Sequence, residues 1–297
     1  MLKIAVIGAG TMGNGIAHVF AQYGFQVSMI DVHTLQLEKA MGTITKNLER
    51  QLQKGIISSD EKTAIFNRIQ PVQQLTEGIR DAGLIIEAAT ENEAVKFELF
   101  RELDEIAAPD SILATNTSSI SITRIAGVTK NPSRVIGMHF MNPAPLMKLV
   151  EIVNGYATAP EVTTKIIELS IKLGKTPCVV SDYPGFISNR ILMPMINEAI
   201  ICLQENVASV QDIDTVMRLG MAHPMGPLQL ADFIGLDVCS AILKVLQEGF
   251  GNPKYAPAAL LVKMVAAGKL GVKSGEGFYN YKNGLKSLVV STKFTKS

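Results

Sequence analysis

Two groups of residues in this chain have the types and spacing that chemistry needs. Gly8-Ala9-Gly10-Thr11-Met12-Gly13 lies between an apolar run (residues 2–7) and a stretch with Met12, Ile16, Val19 and Phe20 at helical spacing. In a strand–turn–helix of this GxGxxG form, Gly8 permits the tight turn, Gly10 lets the backbone approach a pyrophosphate, and Gly13 lets the helix pack closely on the strand. The amides of Thr11, Met12 and Gly13 at the helix start carry partial positive charge and suit an anion. Asp31 closes the next apolar run (26–30), 18 residues beyond Gly13. A carboxylate there would bond an adenine ribose 2′-OH and repel a 2′-phosphate. Neither Val32 nor His33 supplies an arginine for that phosphate, so NAD is favoured over NADP.

The second group centres on one histidine of four. His18 on the first helix and His33 just after Asp31 look structural or solvated, and His223, before Pro224, looks like a turn residue. His139 instead ends a predicted strand (134–140), where open α/β sheets place their ligands. Glu151 follows twelve residues on, inside the apolar run Leu149-Val150-Glu151-Ile152-Val153. An acid buried there is costly unless paired. A strand–loop–strand unit would bring it beside His139, where it could fix the imidazole tautomer and stabilise an imidazolium. A purely structural buried pair satisfies the same pattern. Asn116-Thr117-Ser118-Ser119 also follows a predicted strand (111–116). Its side chains suit a ribose, a nicotinamide or a substrate oxygen, and they equally suit helix caps.

The elements that would position these groups alternate in type. Residues 2–30 form one βαβ unit. Residues 34–68 are polar, with Leu37, Met41, Ile44, Leu48 and Leu52 at helical spacing and Gly55 as a break, which predicts an inserted helical hairpin. Strands are then predicted at 83–89, 111–116, 134–140, 147–153 and 177–181, with helices at 93–107 and about 160–173. From Tyr183 onward the periodicity is helical (185–206, 209–220, 227–248 and 257–267), with only a doubtful strand near 278–281. The expected architecture is a Rossmann-type doubly wound sheet over residues 1–182, an all-α domain over 183–285, and a frayed tail over 286–297.

Composition removes several classes. The 28 Lys+Arg against 27 Asp+Glu give a formal charge of +1, no electrostatic footprint for nucleic acid. No apolar stretch reaches the ~18 residues of a membrane span. Residues 2–7 lack the basic flank and cleavage site of a signal peptide. Three dispersed cysteines, Cys178, Cys202 and Cys239, make neither a disulfide framework nor a metal pattern, so a cytoplasmic setting with no metal is expected.

Six stretches together resemble the L-3-hydroxyacyl-CoA dehydrogenases, particularly bacterial 3-hydroxybutyryl-CoA dehydrogenases. They are IGAGTMGNGIA (7–17), TNTSSISIT (115–123), GMHFMNPAPLMKLVEIV (137–153), DYPGFISNRIL (182–192), HPMGPLQLADFIGLD (223–237) and GKLGVKSGEGFYNY (268–281). The resemblance spans about residues 3–282 and implies roles position by position. His139 would be the general base and Glu151 its orienting partner. Ser118 and Asn189 would bond the reacting oxygen region, with Ser118 also near the nicotinamide. Residues 8–13 and Asp31 match NAD positions, and Glu91, Lys96, Asn116, Asn142 and Lys273 fall where the family contacts the cofactor. Lys54, and less firmly Asn47 and Arg50, match positions of the hairpin arm near CoA. The arm is the least matched segment. An acyl-CoA substrate and a homodimer are implied, the dimer drawing on apolar positions such as Leu192, Met193, Met195, Ile196 and Ile200. Three other readings stay open: a sugar-acid dehydrogenase on the same fold, a non-catalytic NAD(H)-binding protein, and a 3-hydroxyacid dehydrogenase with a lysine base, whose chemical role His139 takes here.

Overall fold

Runs of Ile, Val, Leu and Ala too short for helices, and apolar on both faces, can be satisfied only inside a sheet covered on both sides. The computed structural model describes residues 2–285 and 288–295 and divides into two units, Met1–Tyr183 and Pro184–Ser297. In the first unit β1 (Lys3–Ile7), α1 (Thr11–Gln22) and β2 (Gln26–Ile30) form the βαβ element. The hairpin follows as α2 (Thr34–Gln53) and α3 (Ser59–Asn67). Then come β3 (Ile69–Val72), α4 (Leu75–Gly78), β4 (Ala82–Glu87), α5 (Glu93–Ile106), β5 (Ile112–Thr115), α6 (Ile122–Ala126), β6 (Val135–Phe140), β7 (Leu149–Asn154), α7 (Pro160–Lys172) and β8 (Thr176–Ser181).

The eight strands form one sheet in the order β3-β2-β1-β4-β5-β6-β7-β8. Every neighbouring pair is parallel except β6 and β7. Strand order reverses between β1 and β4, so the loops after these strands flank the crevice where such sheets bind ligands. The hairpin is amphipathic: α2 buries Leu37, Ala40, Ile44 and Leu48, packs Met41 and Leu52 partly against the core, and turns its polar face to solvent. Gly55, at φ +67°, ends it, and a reciprocal Ser58/Glu61 capping box starts α3.

The second unit contains α8 (Ser188–Gln204), α9 (Val210–Thr215), α10 (Pro227–Ile234), α11 (Leu236–Phe250) and α12 (Ala259–Ala266). It is not all helix. β9 (Tyr279–Asn280) and β10 (Val289–Val290) pair antiparallel. Asp232 on α10 holds β9, accepting bonds from the amides of Phe278 and Tyr279 and from the Tyr281 hydroxyl. Burial pushes its carboxyl up to about 6. Residues 288–295 therefore do not fray as expected: Ser291 is buried and donates to Glu276, and Phe294 packs on the helical core. Residues 286–287 and 296–297 of the expected tail lie outside the described residues. The single helix expected over 227–248 is two, because Gly235 at φ +104° turns the chain between α10 and α11. β3 and α4 were not anticipated. β3 contains Pro71 and exposes its middle two residues, so it lacks the apolar signal of the other strands.

His18 lies on α1 with no exposed surface, and neither ring nitrogen has a hydrogen-bond partner among the described residues. Burial lowers its pKa from 6.5 to about 4. Between these values the unfolded chain binds a proton that the folded chain excludes, so stability falls as the pH drops from about 6.5 towards 4. The loss amounts to about 3 kcal/mol at the acid end. Urea unfolding at pH 7.5 and 5.0 is expected to show about 2 kcal/mol of this loss in the wild type, and a smaller one in His18→Leu. Equal pH dependence in both would contradict the assignment.

Candidate active site

The site is built on the carboxyl ends of β1, β4, β5 and β6, all in the first unit. β1 delivers the glycine turn. Gly8 has φ +96°, and a Cβ on it would meet the Ala89 Cα at 2.5 Å. A Cβ on Gly13 would meet the Gly8 carbonyl oxygen at 1.7 Å, so α1 can lie this close to β1 only with glycine there. Gly10 differs: a Cβ built on it has nothing within 4 Å. Packing does not require glycine at this position, and the space beside it fits a pyrophosphate approaching the first-turn amides of Thr11, Met12 and Gly13, which no intrahelical carbonyl can reach.

Asp31 follows β2. Its Oδ2 accepts from the Ala9 amide at 2.9 Å and its Oδ1 from the His33 amide at 3.0 Å. The carboxylate is thereby locked onto the glycine turn. A groove of about 900 Å³ is lined by Gly10, Asp31, His33, Gln36, Lys39 and Ala89, among others. Two carboxylates line it, Asp31 and Glu38, and Asp31 is the one bonded to the glycine turn, where an adenine ribose would lie.

β6 and β7 place His139 opposite Glu151 in antiparallel register. The side chains are on the same face, with His139 Nδ1 2.8 Å from Glu151 Oε2, and both residues are largely buried. A bond to a carboxylate puts the neutral imidazole's proton on Nδ1 and its lone pair on Nε2. The arrangement can accept a proton at Nε2 and stabilise the cation that results.

The loop after β5 carries Asn116, Thr117, Ser118 and Ser119. Asn116 Oδ1 accepts from the Phe140 amide at 2.9 Å, tying this loop to the end of the His139 strand. Glu91 Oε1 accepts from the Thr117 hydroxyl, the Ser118 amide and hydroxyl, and the Ser119 hydroxyl at 2.7–3.1 Å. Lys96 is 1% exposed, and its Nζ donates to both oxygens of Glu87 at 2.7 and 2.6 Å. Glu87, fully buried at the end of β4, was missed in the sequence. The signal was available, since an acid in GLIIEAA raises the same question as Glu151 in LVEIV.

The remaining expected positions are more scattered. Asn142 is exposed in the β6–β7 loop, and Asn47, Arg50 and Lys54 are half-buried or exposed on α2 and its C-terminal cap. In the second unit Asn189 is buried on α8, and Lys273 pairs with Asp237 at 2.6 Å. Among the described residues no cluster of His, Cys, Asp and Glu could hold a metal ion.

The family profile of the 3-hydroxyacyl-CoA dehydrogenase NAD-binding domain matches residues 3–183, and that of the 3-hydroxyacyl-CoA dehydrogenase C-terminal domain matches residues 185–281. The chain belongs to the 3-hydroxyacyl-CoA dehydrogenase family. It is an NAD-dependent oxidoreductase of that family. A probable 3-hydroxybutyryl-CoA dehydrogenase of Bacillus subtilis is 53% identical over 94% of this chain and 97% of its own. A 3-hydroxybutyryl-CoA dehydrogenase of Bradyrhizobium diazoefficiens is 51% identical over 94% and 95%. The crystal structure of an (S)-3-hydroxybutyryl-CoA dehydrogenase from Ralstonia eutropha superposes with a TM-score of 0.91 at 44% identity, covering 94% of this chain and 99% of that one.

The two outer glycines of this dehydrogenase's turn are fixed by packing and the middle one is not. Gly10→Ala is therefore expected to keep the melting temperature within about 2 °C of wild type and to weaken NADH binding at least ~10-fold. Gly13→Ala is expected to lower the melting temperature by several degrees. NADH affinity unchanged in a folded Gly10→Ala protein would contradict this use of the turn.

Proposed function

We propose that this dehydrogenase interconverts (S)-3-hydroxyacyl-CoA and 3-oxoacyl-CoA of short chain, with 3-hydroxybutyryl-CoA the substrate its relatives suggest. The observation that carries the mechanism is the His139–Glu151 pair, a 2.8 Å contact in a largely buried position at a sheet end that faces ligands in folds of this kind. Bound NAD supplies the acceptor for the C3 hydride. In oxidation His139 takes the hydroxyl proton at Nε2, and Glu151 holds the ring and stabilises the imidazolium. In reduction the same imidazolium returns the proton. We assign Ser118 and Asn189 to the reacting oxygen, Ser118 from its place in the loop tied to the His139 strand and Asn189 from the family motif around it. Residues 8–13, Asp31, Glu91, Lys96, Asn116, Ser118, Asn142 and Lys273 are assigned to the cofactor, and Asn47, Arg50 and Lys54 to the CoA moiety.

The protein is also proposed to work as a homodimer in a reducing cytoplasm. Ile191 is 66% and Leu219 79% exposed on the second unit, apolar surface that a second copy of the chain would cover. Of the apolar positions first considered, Met193, Ile196 and Ile200 belong to this unit's own core and are not available to a partner. All three cysteines are free thiols, and no described helix is long and apolar enough to cross a membrane.

Wild-type protein is expected to oxidise NADH rapidly with acetoacetyl-CoA and NADPH poorly. His139→Gln should lose kcat by about 10³-fold while still binding NADH. Sedimentation of the same preparation should give twice the chain mass, and a monomer would remove the dimer. A folded, NADH-binding wild type that leaves acetoacetyl-CoA unchanged would overturn the substrate assignment and favour a small hydroxy acid.

A further inference from the structure

Glu87 is the most deeply buried charged residue near the site, with no exposed surface, and it has no role in the proton or hydride steps. Its carboxylate accepts bonds from three groups. Oε1 takes the Ala89 amide at 2.8 Å and Lys96 Nζ at 2.7 Å. Oε2 takes Lys96 Nζ at 2.6 Å and the Thr115 hydroxyl at 2.7 Å. A carboxylate and an ammonium this thoroughly removed from water often stabilise the fold no better than well-packed apolar residues of the same size, so what the pair does is read from the bonds it makes beyond itself.

Two routes lead from this pair to the loop after β5, one to Thr117 and one to Thr117, Ser118 and Ser119. Along the first, the Thr115 hydroxyl that donates to Glu87 accepts from the Thr117 amide at 3.2 Å. Along the second, the Lys96 ammonium also lies 3.7 Å from Glu91 Oε2, and the other oxygen of Glu91 accepts the Thr117, Ser118 and Ser119 donors. Lys96 thus serves two carboxylates. It neutralises the buried one and holds the half-exposed one in the position that the Ser118 loop needs.

We propose that Glu87 and Lys96 are positioning residues for the dehydrogenase reaction, a buried ion pair that orients Ser118 through Glu91 and Thr115. Lys96 on this account acts on the Ser118 loop through Glu91, apart from any contact it makes with the cofactor. The proposal rests on the functional reading above, in which Ser118 meets the reacting oxygen. It differs from a structural pair in what it moves: the geometry of one loop, and hence kcat more than binding.

The test replaces both charges at once, since either single change leaves the other charge buried and unpaired. In Glu87→Gln/Lys96→Met, amide hydrogen exchange at Thr117, Ser118 and Ser119 is expected to rise at least ~10-fold. The kcat for acetoacetyl-CoA reduction should fall ~10–100-fold, as for a small misplacement of a reacting group. KM for acetoacetyl-CoA should move less than ~3-fold, and NADH affinity, which Glu91 also serves, should fall by less than kcat does. Thr115→Val keeps the ion pair and deletes only the first route. If the double variant does not fold, Thr115→Val is expected to raise exchange at Thr117 above the other two residues and to lower kcat without changing KM. Unchanged exchange at all three positions overturns the proposal. So does NADH affinity lost ~10-fold or more with kcat at saturation intact, which would confine the pair to cofactor binding. A wild type inactive on acetoacetyl-CoA would sink the functional reading alone and leave the exchange measurement to decide the network.

Discussion

The site depends on the register of one antiparallel strand pair. His139 and Glu151 are directly opposite across β6 and β7, the only antiparallel neighbours among the described strands of the large sheet. Side chains alternate faces along a strand, so a slip of one residue would send Glu151 to the other face and leave a carboxylate buried without its partner. The pairing is held from both sides. β5 runs parallel to β6 on one edge and β8 parallel to β7 on the other. The loop joining the two strands is clamped by Lys175, a buried ammonium that donates to the carbonyls of Ala144 and Met147 at 2.6 and 2.7 Å. The constraint that fixes the imidazole is therefore a property of the whole sheet, not of a flexible loop.

A second constraint is the handling of buried charge. Four charged or polar groups, Glu87, Thr115 and His139 at the carboxyl ends of β4, β5 and β6 and Glu151 beside His139 on the antiparallel β7, are all largely buried. Low-dielectric surroundings make each pairing strong and each missing partner expensive. Such an arrangement favours a single geometry, which is what a site for directed hydride and proton transfer needs. The amino ends of the same strands use the same device for packing alone. There Arg134 pairs with Asp104 at 2.9 Å and donates to the Ala108 carbonyl. Buried ion pairs in this protein therefore do not by themselves mark function. What distinguishes Glu87–Lys96 is that its bonds converge on a loop tied to the His139 strand.

Much of this was legible because the relevant residues break local rules. Gly8, Gly10 and Gly13 interrupt an apolar run, and Glu151 sits in one, so position and cost together point to chemistry. The strands with continuous apolar runs were also clear, because only a doubly covered sheet accommodates them. β3 was not, since Ile-Gln-Pro-Val carries two apolar ends around an exposed middle and gains its place by pairing with β2. Residues 288–295 resembled a tail because their partners, Phe278 and Tyr279, lie elsewhere in the sequence. The Glu87 network was hidden for a related reason. Its acid, base and hydroxyl come from β4, α5 and β5, and their convergence is set by the strand order.

The central claim is that Glu151 fixes the proton of His139 on Nδ1 and leaves the lone pair on Nε2. With four histidines in the chain, ¹⁵N-labelling of the imidazoles resolves each ring, and the His139→Gln spectrum assigns the one that matters. The account predicts that neutral His139 shows a protonated Nδ1 and an unprotonated Nε2 in the wild type, and a mixture of tautomers in Glu151→Gln. A wild-type spectrum with the proton on Nε2, or one unchanged by Glu151→Gln, would contradict it.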